Sequence, residues 1–403
     1  MSRTLLSYDA LRKVPKSVWA LGLVSLLMDF SSEMIHALLP IYLVTTLQAS
    51  MAAVGVIEGI AEATASILKI FSGAVSDWAG RRKPLLLLGY GLAALSKPMF
   101  PLAPDVAWIT SARLIDRIGK GIRGAPRDAL VADVTPEHLR GAAYGLRQAL
   151  DTVGAFLGPA AAICVMWVTL NDMRQVFWLA AVPALFAVSV IIFGIVEPDK
   201  EQRPPLPLRL PLHIDELRRL GTNFWRLAAI AAVFSLSRFS EAFLVIKAQT
   251  VGMPIMLTPI VLVLMNLVYA GSAYPVGVLA DRGGRYKLLM VSAVALIAAD
   301  AFFSVTQDLP LVLVGIIFWG LHMGFSQGVF AALIADAAPA SLRGTAFGVY
   351  NLISGLALLG SSFTAGLLWD GVGSWATFAF SGLCGVLTLV GLFMLWPKQL
   401  ARG

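Results

Sequence analysis

One short stretch occurs twice in this 403-residue chain, and no other feature limits its fold as tightly. Gly73-Ala-Val-Ser-Asp77-Trp-Ala-Gly80-Arg81-Arg82-Lys83 closes an apolar run with an Asp, a Gly turn and a basic cluster. Gly277-Val-Leu-Ala-Asp281-Arg282-Gly-Gly284-Arg285-Tyr-Lys287 repeats the pattern 204 positions later. Further on, Ala129-Leu-Val-Ala-Asp133-Val-Thr-Pro136-Glu-His-Leu-Arg140-Gly141-Ala-Ala-Tyr-Gly145 aligns with Ala332-Leu-Ile-Ala-Asp336-Ala-Ala-Pro339-Ala-Ser-Leu-Arg343-Gly344-Thr-Ala-Phe-Gly348 at an offset of 203, with ten of seventeen positions identical. Separate segments agreeing on nearly one offset indicate an internal duplication.

The duplicated unit belongs in a membrane. Hydrophobic residues make up 58% of the chain and charged residues 14%, where a soluble domain carries roughly 25% charge. A span needs roughly 20 apolar residues. Twelve such runs occur: 18–43, 53–75, 84–103, 106–134, 142–168, 175–197, 224–247, 254–279, 287–306, 309–338, 345–369 and 373–396. Their length makes them helices, because a strand crosses lipid in about half as many residues. The net charge of +7 raises a nucleic-acid reading, yet the basic residues sit in short loops, as on a cytoplasmic membrane face. Arg12, Lys13, Lys16, the Arg81–Lys83 cluster, Arg140, Arg218, Arg219, Arg282, Arg285, Lys287, Arg343, Lys398 and Arg402 all fall on one side. That side is the cytoplasm, so both termini are expected there, in a multi-pass protein of an inner membrane. Cys164 and Cys384 lie inside apolar runs without metal-ligand spacing, and no cleavable signal peptide is expected.

The one long connection, Glu197–Asn223, contains Pro204-Pro205-Leu-Pro207 and falls where the duplication needs a boundary. The expected division is a six-helix bundle over 1–197, a cytoplasmic linker over 198–223 with a short surface helix at Ile214–Leu220, and a second bundle over 224–403.

Twelve helices as six plus six, with Gly-x-x-x-Asp-x-x-Gly-Arg between runs two and three and again between eight and nine, resemble the major facilitator superfamily over essentially the whole chain. The resemblance implies two pseudo-symmetric bundles around a cavity that opens alternately to either side, with binding near the midplane. It also implies a conformational latch of Gly73, Asp77, Gly80, Arg81 and Asp133, matched by Asp281, Gly284, Arg285 and Asp336. Asp77 is then expected at the start of span eleven near Gly344-Thr345, and Asp281 at the start of span five near Gly141-Ala142. An Asp is favoured at such helix N-termini. Arg81 is expected to pair with Asp133, and Arg285 with Asp336. Trp78 departs from the family's basic residue after the Asp, whereas Arg282 keeps it. In span five, Gly154-Ala-Phe-Leu-Gly158-Pro159 resembles the signature of proton-driven exporters; small residues four apart also suit plain helix packing.

Charge inside spans is expensive and points to function. Span four carries Arg113, Asp116, Arg117, Lys120, Arg123, Arg127 and Asp128, which fall within an arc of about 140° if the helix stays regular past Pro126. Its second-half counterpart has Gly320, Ser326 and Phe330 in place of Arg117, Arg123 and Arg127, so the repeat itself does not require the charges. Arg117-Ile-Gly-Lys120-Gly121 resembles the Arg-x-x-x-Gly motif of exporters, whose Arg is implicated in proton transfer. Two jobs fit the cationic face: shifting a neighbouring carboxyl's proton affinity, or attracting an anionic solute. Asp29 with Glu33, and Glu58 with Glu62, are candidate proton carriers one helical turn apart. Asp29-Phe30-Ser31 aligns loosely with Arg238-Phe239-Ser240 of span seven, which sets opposite charges across the expected pseudo-two-fold axis, with a structural salt bridge as the alternative; Glu241 of the same span is a further pathway candidate. Arg147 and Asp151 read as a neutralised pair. Gly119-Lys-Gly121-Ile-Arg-Gly124 and Gly89-Tyr-Gly91 mimic a dinucleotide pattern, but no βαβ unit surrounds them.

The reading is a secondary transporter of a small organic solute, anionic or zwitterionic, exported by alternating access in exchange for protons. It expects no enzyme activity, no cofactor or metal, no nucleic-acid partner and a monomer. A proton-driven importer of an organic anion such as a metabolite or siderophore stays open, as does a transporter-derived sensor or intramembrane enzyme.

Overall fold

The structure, a computed structural model, describes residues 13–197, 214–281, 284–339 and 342–395. Among these residues every regular element is helical. Span one is Lys16–His36, continued by a turn at Leu39–Ile41 and a π-turn at Tyr42–Thr46; span two is Met51–Ala79, three Lys83–Ser96, four Val106–Val134, five Arg140–Val168 and six Met173–Gly194. After a short helix at Ile214–Arg219 come span seven in two pieces, Gly221–Leu236 and Ala242–Thr250, then eight Ile260–Asp281, nine Arg285–Val305, ten Leu309–Ala337, eleven Arg343–Gly371 and twelve Ser374–Leu395. The short helix lies within the expected linker, whose residues 198–213 fall outside those described.

Local chemistry sets these boundaries. Asp105 accepts the Trp108 N–H at 2.8 Å to cap span four, and Asp172 accepts those of Arg174 and Gln175 to cap span six, satisfying donors no intrahelical carbonyl reaches. Gly80 and Gly284 take φ of 67° and 83° in the two motif turns, a left-handed conformation that favours glycine. Exposed Leu95, Leu185, Phe186, Leu267 and Leu383 give the exterior the apolar surface that lipid solvates.

Nine spans are long and apolar enough on their own to cross a membrane, among the described residues. The other three depart for physical reasons. Span three has 14 residues before a 3₁₀ turn at Lys97–Met99, where Pro98 cannot donate. Span four runs unbroken through Pro126 but carries too much charge. Span seven, expected as one run over 224–247, breaks at 237–241. Serines of spans eleven and twelve take up the released backbone groups: Ser361 donates to the Leu236 carbonyl at 2.7 Å, Ser381 to that of Ser237 at 2.6 Å, and Ser362 accepts from the Ser240 N–H at 3.1 Å.

The chain divides into two compact units, one of residues 1–36 and 64–210, the other of 37–63 and 211–403. In the first, span five lies on span one and span three on span four. A side chain at Gly154 or Gly158 would run into the carbonyls of Leu26 or Phe30. Gly89 and Gly119, members of the false dinucleotide patterns, let the backbones of spans three and four touch. In the second unit, Gly55 and Gly59 let residues 51–63 press on Ser362 and Leu359 of span eleven, and Asp370 accepts the N–H groups of Met51 (3.0 Å) and Ala52 (2.8 Å). Hence 37–63 packs with the later half of the chain rather than with the rest of 1–197.

Candidate functional site

Span four organises the charge of the first unit. Its helix stays regular past Gly124 and Pro126, so the seven ionisable side chains share a face as the spacing predicts. Arg113, Asp116, Arg117 and Arg123 are at most 4% exposed and do not point at lipid, whereas Lys120 is exposed. Leu114, Ile115, Ile118 and Ile122 are only part-buried.

Buried ions need partners, because removing charge from water costs several kcal/mol per ion. Lys97 of the turn after span three donates to Asp116 Oδ1 at 2.7 Å and to Ser32 Oγ at 2.9 Å. The other Asp116 oxygen lies 3.9 Å from Arg117 Nε. Arg123 stacks over the Tyr90 ring, 4.6 Å from its centroid, a cation–π contact that serves a desolvated guanidinium. Arg127 donates to Asp128 at 3.2 Å and to Ser25 at 3.1 Å, and lies 3.6 Å from Asp151.

Asp151 is more than the neutral partner of Arg147 that the i, i+4 spacing suggests. Arg147 is 3.8 Å from it but donates to Gln148 at 2.6 Å and also approaches Asp128. Across from Asp151, the carboxyl of Asp29 on span one stands close enough for the two acids to act on one another. Two carboxyls so placed disfavour each other's ionisation, so a proton on one of them is stabilised. Close packing at Gly154 and Gly158 is what brings spans one and five near enough for it. Pro159 sits inside an unbroken helix.

The remaining predicted residues fall elsewhere. Glu33 pairs with His36 at 3.4 Å. Glu58, buried, and Glu62, part-buried, belong to the second unit with residues 37–63. Arg238 and Glu241 both lie in the span-seven break, part-buried. His322 bonds through Nδ1 to Ser292 at 3.0 Å.

The latch pairing needs one correction. Arg81 is exposed; Arg82, its buried neighbour, reaches Asp77 at 2.6 Å and Asp133 at 3.3 Å, with Ser76 as a further acceptor. The turn at Gly80 directs the first basic residue outward and the second back under the helix end. Backbone N–H groups of Arg82 and Lys83 bond to Glu197, and the Lys83 ammonium donates to the Ile192 and Ile195 carbonyls at the end of span six, where a cation meets the negative helix terminus. In the second copy Arg285 pairs with Asp336 as expected. Arg282 and the Asp281 side chain lie outside the described set. Thr345, at the start of span eleven, donates to Glu216 of the short linker helix at 2.6 Å. The sequence left the partners of Arg82, Lys97 and Asp151 unassigned, apart from the Arg147–Asp151 pairing, and the three serines of the break were passed over. A signal existed for the serines, since Ser361-Ser362 and Ser381 lie in otherwise apolar runs.

The sequence profile described as Major Facilitator Superfamily matches residues 21–362. An uncharacterized MFS-type transporter of Methanocaldococcus jannaschii is 28% identical over 393 residues, 96% of each chain. The multidrug resistance protein MdtH of Proteus mirabilis is 31% identical over 140 residues, 34% of this chain and 33% of that one. Among solved structures, a POT family transporter in complex with 5-aminolevulinic acid superposes with a TM-score of 0.80 at 13% identity, covering 96% of this chain and 99% of that chain.

Proposed function

The chain belongs to the Major Facilitator Superfamily, and on that footing we propose that it exports a small organic anion or zwitterion in exchange for protons. It is a multi-pass membrane transporter with that family's fold, not an enzyme. The carrying observation is Asp151, 3.6 Å from Arg127 and 3.8 Å from Arg147, with the carboxyl of Asp29 beside it. Neighbouring carboxyls take up a proton when the cation beside them withdraws and surrender it when the cation returns. Four buried or part-buried guanidinium groups on one face of span four, Arg113, Arg117, Arg123 and Arg127, suit a carboxylate or phosphate on the solute. Solute engaging that face changes how those cations serve the carboxyls, which couples the two fluxes. The outward direction is supported by the MdtH relative, a multidrug resistance protein, and by the resemblance of Gly154, Gly158 and Pro159 to the exporter signature. The working unit is one chain in the inner membrane, both termini cytoplasmic, with Arg82–Asp77–Asp133 and Arg285–Asp336 closing the cytoplasmic side.

The test is solute-evoked proton flux in proteoliposomes, with solutes of both charge signs. Asp151→Asn should abolish proton flux while solute counterflow persists, and Arg117→Ala should depress transport of anionic solutes at least tenfold. Proton coupling fails if no solute of either sign moves protons in the wild type. The role of span four fails if Arg117→Ala transports normally.

A further inference from the structure

Span nine holds a carboxyl that the scheme above does not use. Asp300 is 2% exposed, and Ser381 Oγ lies 2.6 Å from its Oδ2. The same Ser381 oxygen lies 2.6 Å from the Ser237 carbonyl, which the break in span seven has freed from its helical N–H partner. A serine hydroxyl carries one hydrogen, so it cannot donate in both directions. If it donates to Asp300, a buried carbonyl is left bare. A buried carboxylate would then also stand with Ser381 as its one hydrogen-bond partner among the described residues. Either deficit is unfavourable alone. Both vanish if the carboxyl carries the proton, giving a chain of Asp300 O–H to Ser381 O–H to the Ser237 carbonyl. The second oxygen, Oδ1, has no hydrogen-bond partner among the described residues, as suits a neutral acid better than an ion.

We infer that Asp300 is a second proton-carrying carboxyl, in the C-terminal half, and that its proton state is relayed through Ser381 to the break in span seven. Loss of the proton turns the Ser381 hydroxyl toward Asp300 and releases the Ser237 carbonyl, one of three ties that hold the break; Ser361 and Ser362 hold the others. Arg238 follows Ser237 directly and Glu241 ends the same segment, so the relay reaches both candidate pathway residues of this half. The titratable groups on packed elements are few. Span twelve contributes Cys384. Span ten contributes His322, held by Ser292 two turns away along span nine. The inference uses the proton-linked reading for its purpose but not for its evidence.

The test needs no solute. Infrared difference spectra of the full-length protein in proteoliposomes, compared with Asp300→Asn at neutral pH, should assign a neutral-acid carbonyl band to Asp300. The amide of the variant keeps a donor toward Ser381 and so preserves the packing. Hydrogen–deuterium exchange over 236–241, corrected for intrinsic rates, should rise roughly tenfold on alkalinisation in the wild type, the weight of one hydrogen bond, and stay flat in Asp300→Asn. Ser381→Ala should keep the acid band and lose the pH response of the break. A neutral-acid region unchanged by Asp300→Asn would overturn the protonated state, and a pH response surviving in Ser381→Ala would overturn the relay. Absence of solute-evoked proton flux in the wild type would fell the exporter reading and leave these two results standing.

Discussion

The two halves of this chain solve one packing problem with opposite chemistry. At the 203-residue offset that aligns the caps Asp105 and Asp308, and the buried rings Phe100 and Phe303, Lys97 falls on Asp300 and Asp116 on Trp319. In the first half those positions form a hydrogen-bonded ion pair, 2.7 Å apart. In the second, Trp319 packs on Phe239 at 5.3 Å, Phe303 on Phe378 at 4.9 Å and Phe234 on Phe330 at 5.0 Å, and Asp300 has a serine for company. One backbone plan thus tolerates an ionic lattice or an aromatic core. The ion pair is therefore not a demand of the repeat, since Asp300 and Trp319 occupy the equivalent positions without one. The motif turns diverge in the same way: Arg82 is buried and reaches two carboxylates, while Arg285, part-buried, holds one exposed partner.

The largest effect should come from unbalancing the ion pair. Asp116→Leu alone strands a buried ammonium and should cost about 3–5 kcal/mol, while Lys97→Met with Asp116→Leu should recover most of it. A double-mutant cycle on denaturant unfolding in detergent reads this, and a double variant as unstable as the single one would mean the lattice has no apolar substitute. Next in size, Arg82→Ala should lose about 1.5–3 kcal/mol, the range for hydrogen bonds to charged groups, against less than about 1 kcal/mol for Arg285→Ala. Equal losses in thermal unfolding would erase the contrast between the two turns. Smallest, Phe239→Leu should remove about 0.5–1.5 kcal/mol of ring–ring attraction and leave solute-evoked proton flux within twofold of wild type. A collapse of that flux would show that the aromatic core, too, takes part in coupling.

The order of elements could be read directly from residue types. A run of apolar residues long enough to cross lipid has little choice but helix, and an offset of 203 or 204 residues shared by separate segments announces two halves. The charged face of span four was equally legible, because a regular helix fixes direction from spacing alone. Other features followed from contacts between distant segments. Nothing local distinguishes Arg81 from Arg82; the turn at Gly80 and the positions of Asp77 and Asp133 choose between them. Residues 37–63 look like part of the first repeat, yet Gly55, Gly59 and Asp370 commit them to span eleven.

Sequence by itself determined the family, the membrane setting and the stock of buried charge, because hydropathy and helical period are properties of short stretches. Only the tertiary structure decided which charges are partnered, that Asp29 meets Asp151, and that one serine must serve both Asp300 and a broken helix. A proton's place depends on donors and acceptors within about 3 Å, and those arrive from far along the chain.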